Sequence, residues 1–495
     1  MPGTPQATQL AILGGGPGGY AAAFLAADLG LQVTLIDQEP NPGGVCLYRG
    51  CIPSKALLHV AKVLEDARQA TNWGVTFAEP TIDVGKLRIW KEGVVRKLTG
   101  GLGDLCKRRG VTFVQGRAAF VDATTLIVQT TQGEEQHLTF AQAIVATGSR
   151  PTTLPHLTLD SPRLLDSTSA LALSDIPQTL LVIGGGYIGL EMGSVYAALG
   201  TQVSVVEMTS GLLPGVDRDL VNLLAARLKQ SLAAIMLNTT VVAMHAEPNG
   251  IRVTFEGSEV QEPQQVFDKV LVAVGRRPNV QGLGLENTRV EITPGGFITV
   301  DAQCRTTEPT IYAIGDVAGE PMLAHKASHE GRVAARAIAG HKVAFEPHAI
   351  PAVVFTDPEI AWCGLTETQA KQEERAIEVA RFPWGASGRA TTLDRNDGVT
   401  KLILDPSTSR ILGVGIAGSG AGELIAEGVL AVEMASLASD LALSLHPHPT
   451  LSETLMEAAE VFFGQSTHVY RPQRRRSSAA PRVGLAALDG LEESG

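Results

Sequence analysis

An α/β fold carrying two Rossmann-type dinucleotide-binding domains is predicted by two observations: a glycine fingerprint that occurs twice in register, and a glycine-rich composition. In the first copy the apolar run Leu10–Leu13 reads as a buried strand and leads into Gly14, Gly16 and Gly19. An alanine-rich helix runs through Ala27 and stops at Gly30, and a second strand, Val33–Ile36, ends in Asp37. Such glycines permit a tight turn and close approach of backbone to pyrophosphate at a helix N-terminus, while the acid accepts from ribose hydroxyls. In the second copy Leu180–Ile183 leads into Gly184, Gly186 and Gly189, the helix ends at Gly200, and Val203–Val206 ends in Glu207. The spacing from first glycine to acid is the same in both, Gly14 to Asp37 and Gly184 to Glu207. One GxGxxG is a weak signal; two copies with strand, helix and acid aligned are a strong one. Glu207 suits the 2′-hydroxyl of NAD and would repel a 2′-phosphate, and Met208–Gly211 supplies no cation, so the second site is expected to take NAD.

The 495 residues suggest about three domains. Hydrophobic residues at 44% and 53 glycines fit a folded, loop-rich α/β protein. A net charge of −11 argues against non-specific attraction to nucleic acid or anionic membrane. No Lys or Arg precedes Arg49, so neither a basic secretory leader nor an Arg-rich transit peptide is expected. No apolar run approaches the roughly 20 residues that cross a bilayer. The expectation is a soluble, cytoplasmic chain without membrane insertion.

Chemistry enters with Cys46 and Cys51 in GGVCLYRGCIPSK, with four residues between them in a chain of five cysteines. A close pair without signs of secretion points to catalysis. The alternatives are two buried thiols or half of a zinc site. Zinc needs about four ligands, and Cys106, Cys304 and Cys363 lack Cys or His partners at ligand spacing, so no metal is expected. Ile52-Pro53-Ser54-Lys55 reads as a helix start, since proline suits a first helical position. Cys51 then sits at the positive end of a helix, which favours the thiolate. A short loop joining a low-pKa thiol to a second thiol suits a disulfide that opens and closes each turnover.

At this point the chain resembles the flavin-dependent pyridine nucleotide–disulfide oxidoreductases, in their dihydrolipoyl-oxidising branch, from about residue 8 to 467. The motifs that carry the resemblance are GGGPGGY, GGVC…GCIPSKALLHVAKV, VATGSRP, GGGYIGLEMG, VGRRPN, AIGDV, PMLAHKASHEG and HPHPTLSE. The resemblance implies FAD at the first fingerprint, held by Gly14, Gly16, Gly19, Asp37, Lys55, Ala118, Asp316 and Ala324, with Lys55 paired to Glu191. It implies NAD at Gly184, Gly185, Gly186, Tyr187, Ile188, Glu207, Val241 and Gly275. His448 would act as a base oriented by Glu453, about one turn inside a helix that begins after Pro449; His446 would support the loop. The family places this histidine in the partner subunit's site, which implies a homodimer.

The domains implied are FAD-binding with the redox disulfide (1–150), NAD-binding (151–275), a central domain completing the FAD site (276–350) and a C-terminal α/β dimerisation domain (351–470). Residues 471–495 read as a disordered tail. The reaction implied is oxidation of protein-bound dihydrolipoyl groups with NAD+ as acceptor. Partners would be the lipoyl domains and acyltransferase core of a 2-oxoacid dehydrogenase complex or a glycine cleavage system. Rival readings are a glutathione- or mercuric-reductase-like enzyme, or chiefly an interaction subunit of such a complex. One departure stands out. Between the cysteines the family usually carries Leu-Asn-Val-Gly, whereas this chain has Leu47-Tyr48-Arg49-Gly50.

Overall fold

Strand β1 (Gln6–Leu13), helix α1 (Pro17–Asp28) and strand β2 (Val33–Asp37) form the first βαβ element of the computed structural model, which describes residues 6–258 and 260–470. The tail expected at 471–495 lies outside the described residues. β1 runs parallel to β2 on one side and to Glu135–Val145 on the other. A strand covered on both faces needs an unbroken apolar run, and Leu10, Ala11 and Ile12 are fully buried. Thr112–Asp122 extends the parallel sheet beyond β2, and Ile311–Ala313 extends it beyond Glu135–Val145.

A second, five-stranded parallel sheet repeats the plan in the order Ala234–Met236, Gln202–Val206, Thr179–Ile183, Lys269–Val272, Leu164–Leu165. The third fingerprint glycine is needed for the same reason in both copies. A Cβ at Gly19 would stand 1.9 Å from the Gly14 carbonyl oxygen, and one at Gly189 would stand 2.2 Å from that of Gly184. The chain leaves the first sheet along Ser149–Pro151 and returns along Arg276–Pro278. These two segments pair antiparallel, which sets Ser149 beside Arg276. All of this belongs to one compact unit, the chain up to Pro214 with Lys229–Glu346.

The other unit joins Gly215–Leu228 to the chain from Pro347. Its antiparallel sheet runs Ala352–Val354, Glu359–Gly364, Ile411–Gly418, Val399–Leu404, Glu378–Pro383. A core of Phe382, Trp384, Leu402, Ile416, Leu455 and Phe462 includes residues of the helix Glu453–Phe463. Gly215–Leu228 lies in the middle of 151–275 by sequence yet groups with this unit. Its anchor is Lys401, 1% exposed, whose ammonium donates to Asp217 (2.7 Å), Asp219 (2.7 Å) and Glu367 (2.8 Å). Arg381 adds a second cation, 2.8 Å from Asp219. Three carboxylates close enough to share an ion thus share an ammonium instead.

Lys401→Met leaves these carboxylates with one cation; stripping one partner from a buried ion pair costs about 3–5 kcal/mol. The expected result is a urea midpoint lowered accordingly. Burial acts to raise the carboxyl groups of Asp217 and Asp219, but Lys401 outweighs it and both end below the usual aspartate range. Their stabilisation is therefore present above the unfolded aspartate value and lost as pH falls through the lower folded values. An acid-unfolding midpoint in Lys401→Met equal to that of the parent contradicts this.

Candidate active site

The segment joining the two cysteines, read from sequence as a short loop, is a helical turn, α2 (Gly44–Arg49), separated from α3 (Cys51–Gln69) by Gly50. The doubling back is tight. A Cβ on Gly50 would lie 2.9 Å from the Val45 carbonyl oxygen and 3.3 Å from the Cα of Cys46. Cys51 is the first residue of α3, with Ser54 hydroxyl donating to its carbonyl at 3.0 Å.

Cys46 and Cys51 are free thiols in this structure and hydrogen-bond to one another. The pair is asymmetric. The hydrogen bond from Cys46 brings Cys51 down to about 7 against the opposing effect of burial, with the Lys55 ammonium helping. Cys46 moves the other way, first because it is the proton donor to Cys51 and then because it is partly withdrawn from solvent. One thiol is therefore poised to ionise near neutrality, and its neighbour keeps its proton.

A cavity of about 550 Å³ runs past these thiols. Its wall includes Gly14, Gly16, Asp37, Lys55, Tyr187, Ile188, Asp316 and Ala324. Lys55 Nζ donates to Glu191 at 2.8 Å, a carboxylate on the second fingerprint helix. Asp316 lies in the short 3-10 turn Gly315–Val317, and Ser149 donates to its carboxylate. Arg276 Nε donates to that hydroxyl at 2.7 Å and its Nη2 donates to the Ser149 carbonyl at 2.7 Å. Glu330, buried against Lys326 at 2.7 Å, accepts from the Gly315 N–H at 2.7 Å and so fixes the turn from behind. Ser149, Arg276 and Glu330 were not singled out from sequence. All three stand inside the quoted motifs VATGSRP, VGRRPN and KASHEG, which was the available signal.

The two fingerprint acids do the same local work. Asp37 accepts from Gly15 N–H at 2.5 Å and Glu39 N–H at 2.9 Å. Glu207 accepts from Gly185 N–H at 2.8 Å and Thr209 N–H at 2.8 Å. Each carboxylate braces its glycine turn and keeps lone pairs over. Burial raises Asp37, partly offset by those N–H groups and by Arg49. Ala118 lines an adjoining cavity of about 380 Å³ together with Gly14 and Asp37. Val241 is 3% exposed within an apolar core with Ile183 and Val206, so its backbone is what a ligand could meet. Gly275 takes φ +116 just before Arg276.

In the second unit His448 Nδ1 lies 2.9 Å from Glu453 Oε1, and Thr450 N–H donates to Glu453 Oε2 at 2.7 Å. Glu453 is the first residue of its helix and not a turn inside it. The turn before the helix is held by the Thr450 hydroxyl, which donates to the Pro447 carbonyl and bonds to the Ser452 hydroxyl, each at 2.8 Å. Burial would raise Glu453, but the Thr450 N–H and His448 outweigh it and the carboxyl ends lowered. Imidazole and carboxylate are thus bonded through one nitrogen, leaving Nε2 of a largely exposed ring. His446 is occupied by the Ser444 carbonyl (2.9 Å) and Glu427 (2.8 Å).

Two nucleotide turns, a coupled dithiol and a separate His–Glu pair define a class, and the comparison with known families gives it the same name. Residues 8–331 match the pyridine nucleotide-disulphide oxidoreductase family and 350–459 match that family's dimerisation domain. The chain belongs to this family. Among its relatives, the dihydrolipoyl dehydrogenases of Vibrio parahaemolyticus and Haemophilus influenzae are each 50% identical, over 93% of this chain and 96% of theirs. That of Bacillus subtilis is 45% identical over 94% of this chain and 99% of its own. Among solved structures, LpdA from Mycobacterium tuberculosis has a TM-score of 0.85 at 28% identity, covering 92% of this chain and 99% of that one. Among the described residues no helix is long and apolar enough to cross a membrane.

Alkylation by iodoacetamide should follow the thiolate fraction of Cys51 and reach half its maximum near pH 7 in the reduced apoprotein. Lys55→Met removes a cation that favours that thiolate, so its midpoint moves up. A midpoint near the ordinary thiol value of about 8.5 in the parent would contradict the asymmetry.

Proposed function

We propose that this chain oxidises dihydrolipoyl groups carried on partner proteins and reduces NAD+, using Cys46 and Cys51 with bound FAD. The observation that carries the reading is the Cys46–Cys51 pair, unequal in acidity, set in one cavity with Asp37, Lys55 and Asp316. The residues fit FAD. The cavity is long enough to reach from the glycine turn to the thiols, and a Cβ on Gly44 would lie 2.5 Å from the Gly16 Cα, a cradle that only glycine leaves open. Asp37 would hold the adenosine ribose, Ala118 and Ala324 would offer backbone, and Asp316 would hold the ribityl or pyrophosphate part. Bound FAD supplies a two-electron acceptor for the dithiol and a hydride donor to NAD+.

The protein's own part is protonic and positional. Lys55, held by Glu191, stabilises negative charge at Cys51. His448, bonded to Glu453 through Nδ1, keeps Nε2 to take a proton from an incoming dithiol. The substrate thiolate attacks Cys46 of the oxidised pair, Cys51 leaves as thiolate, and the second substrate sulfur displaces Cys46 as cyclic lipoyl forms. We place His448 of one copy at the thiols of a second, so a homodimer is the working unit; support comes from the match to the dimerisation domain. NAD would rest on Gly184–Ile188, Glu207, Val241 and Gly275. Glu207 is buried on Gly185 and Thr209, which suits a ribose hydroxyl and not a phosphate. The partners proposed are lipoyl domains of a 2-oxoacid dehydrogenase or glycine cleavage system, and the compartment is the cytoplasm. A mercuric-reductase reading is disfavoured because the relatives that match nearly the whole chain are dihydrolipoyl dehydrogenases.

Cys46→Ser should abolish dihydrolipoamide turnover while leaving bound flavin and NADH-driven dye reduction. His448→Gln should lower kcat by roughly 10²–10⁴-fold, the usual range for loss of a general base, with flavin content unchanged. Near-parental dihydrolipoamide activity in Cys46→Ser would end this reading.

A further inference from the structure

Tyr48 and Arg49, the residues that set the inter-cysteine segment apart, both reach out of α2 to the turn at residues 38–42 that follows β2. The Tyr48 phenol donates to the Asn41 carbonyl at 3.1 Å and accepts from the Asn41 N–H at 3.2 Å. The Arg49 guanidinium pairs with the Glu39 carboxylate. Glu39 in turn gives its N–H to Asp37, and Asp37 takes the Gly15 N–H. The circuit is completed by Gly43 N–H, which donates to the Gly15 carbonyl at 2.7 Å. Gly14, Asp37, Glu39, Arg49 and Cys46 all face the same cavity.

We propose that Arg49, assisted by Tyr48, is a cofactor-positioning residue that bolts the cysteine-bearing helix to the 38–42 turn and keeps Asp37 set to receive a nucleotide ribose. The proposal rests on the reading that this cavity takes FAD. Its logic is local compensation. Glu39 puts a second carboxylate beside Asp37, a like charge that favours protonation of the half-buried acid. Arg49 cancels that charge and ties it away from Asp37. An uncharged residue at position 49 would leave Glu39 without this cation. The groups that face Asp37 are Glu39 on its own turn and Arg49 and Tyr48 on α2. Arg49 pairs with Glu39 on this turn, while Lys55 is the foremost cation acting on the thiols.

The test compares holoproteins by the rate at which FAD fluorescence appears on dilution. A partly exposed ion pair supports a change of roughly two- to fivefold, so Arg49→Gln should release FAD faster by about that factor. Arg49→Lys should recover part of the loss, and Arg49→Gln/Glu39→Gln should return toward the parent because the offending charge is gone. On acidification Asp37 loses its acceptor role as it protonates. Without Arg49 it protonates at higher pH, so half-release of FAD moves upward in Arg49→Gln. The alkylation profile of Cys51 in the same variant should stay in place, which general loosening of the loop would not allow. FAD uptake with parental release in Arg49→Gln, or a double variant as leaky as the single one, overturns the proposal alone. A parental chain that takes up no FAD overturns the flavin reading and this proposal with it.

Discussion

The hydrogen bond between Cys46 and Cys51 is the constraint from which the chemistry of this site follows. Two thiols with equal surroundings would share protons evenly and neither would serve neutral-pH exchange well. Here the geometry of α2, Gly50 and the first turn of α3 lets the two sulfurs share a hydrogen bond, and the Lys55 ammonium favours ionisation at both, ranking higher among the influences on Cys51. The result is a donor and a thiolate from the same residue type. Lys55 donates to Glu191, on the helix of the other nucleotide fingerprint, which fixes the ammonium while its carboxylate charge partly opposes the thiolate. The two βαβ elements are therefore not independent modules strung together. The cysteine-bearing helix α3 and the helix of the second fingerprint meet through Lys55 and Glu191, where the sulfur chemistry is tuned.

A second theme is economy in the fingerprint acids. Asp37 and Glu207 both accept from the second glycine N–H of their turn and from the residue two positions on. The acid thus shapes the turn that meets the nucleotide before any ribose arrives. Aspartate and glutamate differ by one methylene, and both satisfy the same two N–H groups.

Much of this was legible in the chain. The two fingerprints, the helix opening at Cys51 and the Lys55–Glu191 and His448–Glu453 pairings were expected, the pairings through the family resemblance. Periodicity and turn residues report local structure well, and both fingerprints are local. The missed features share a different property. Asp217 meets Lys401 across a long stretch of chain, so the grouping of Gly215–Leu228 with the C-terminal unit leaves no local pattern. Ser149 and Arg276 meet through a short antiparallel pairing far apart in sequence. The helical turn of α2 was hidden because its boundaries are set by close approach at Gly50, and Glu453 opens its helix after a turn held by side-chain hydroxyls.

The central claim, that electrons from a dithiol substrate pass through Cys46 and Cys51, is tested most directly by an anaerobic two-step titration of the flavin-loaded dimer. Dihydrolipoamide is added first and NAD+ second, with alkylation mass at the two cysteines read after each step. Expected is a pair that resists alkylation at the start, takes two alkyl groups after the first addition, and closes again as one NADH forms per chain. NADH produced while Cys46 and Cys51 stay in one unchanging state would contradict the route.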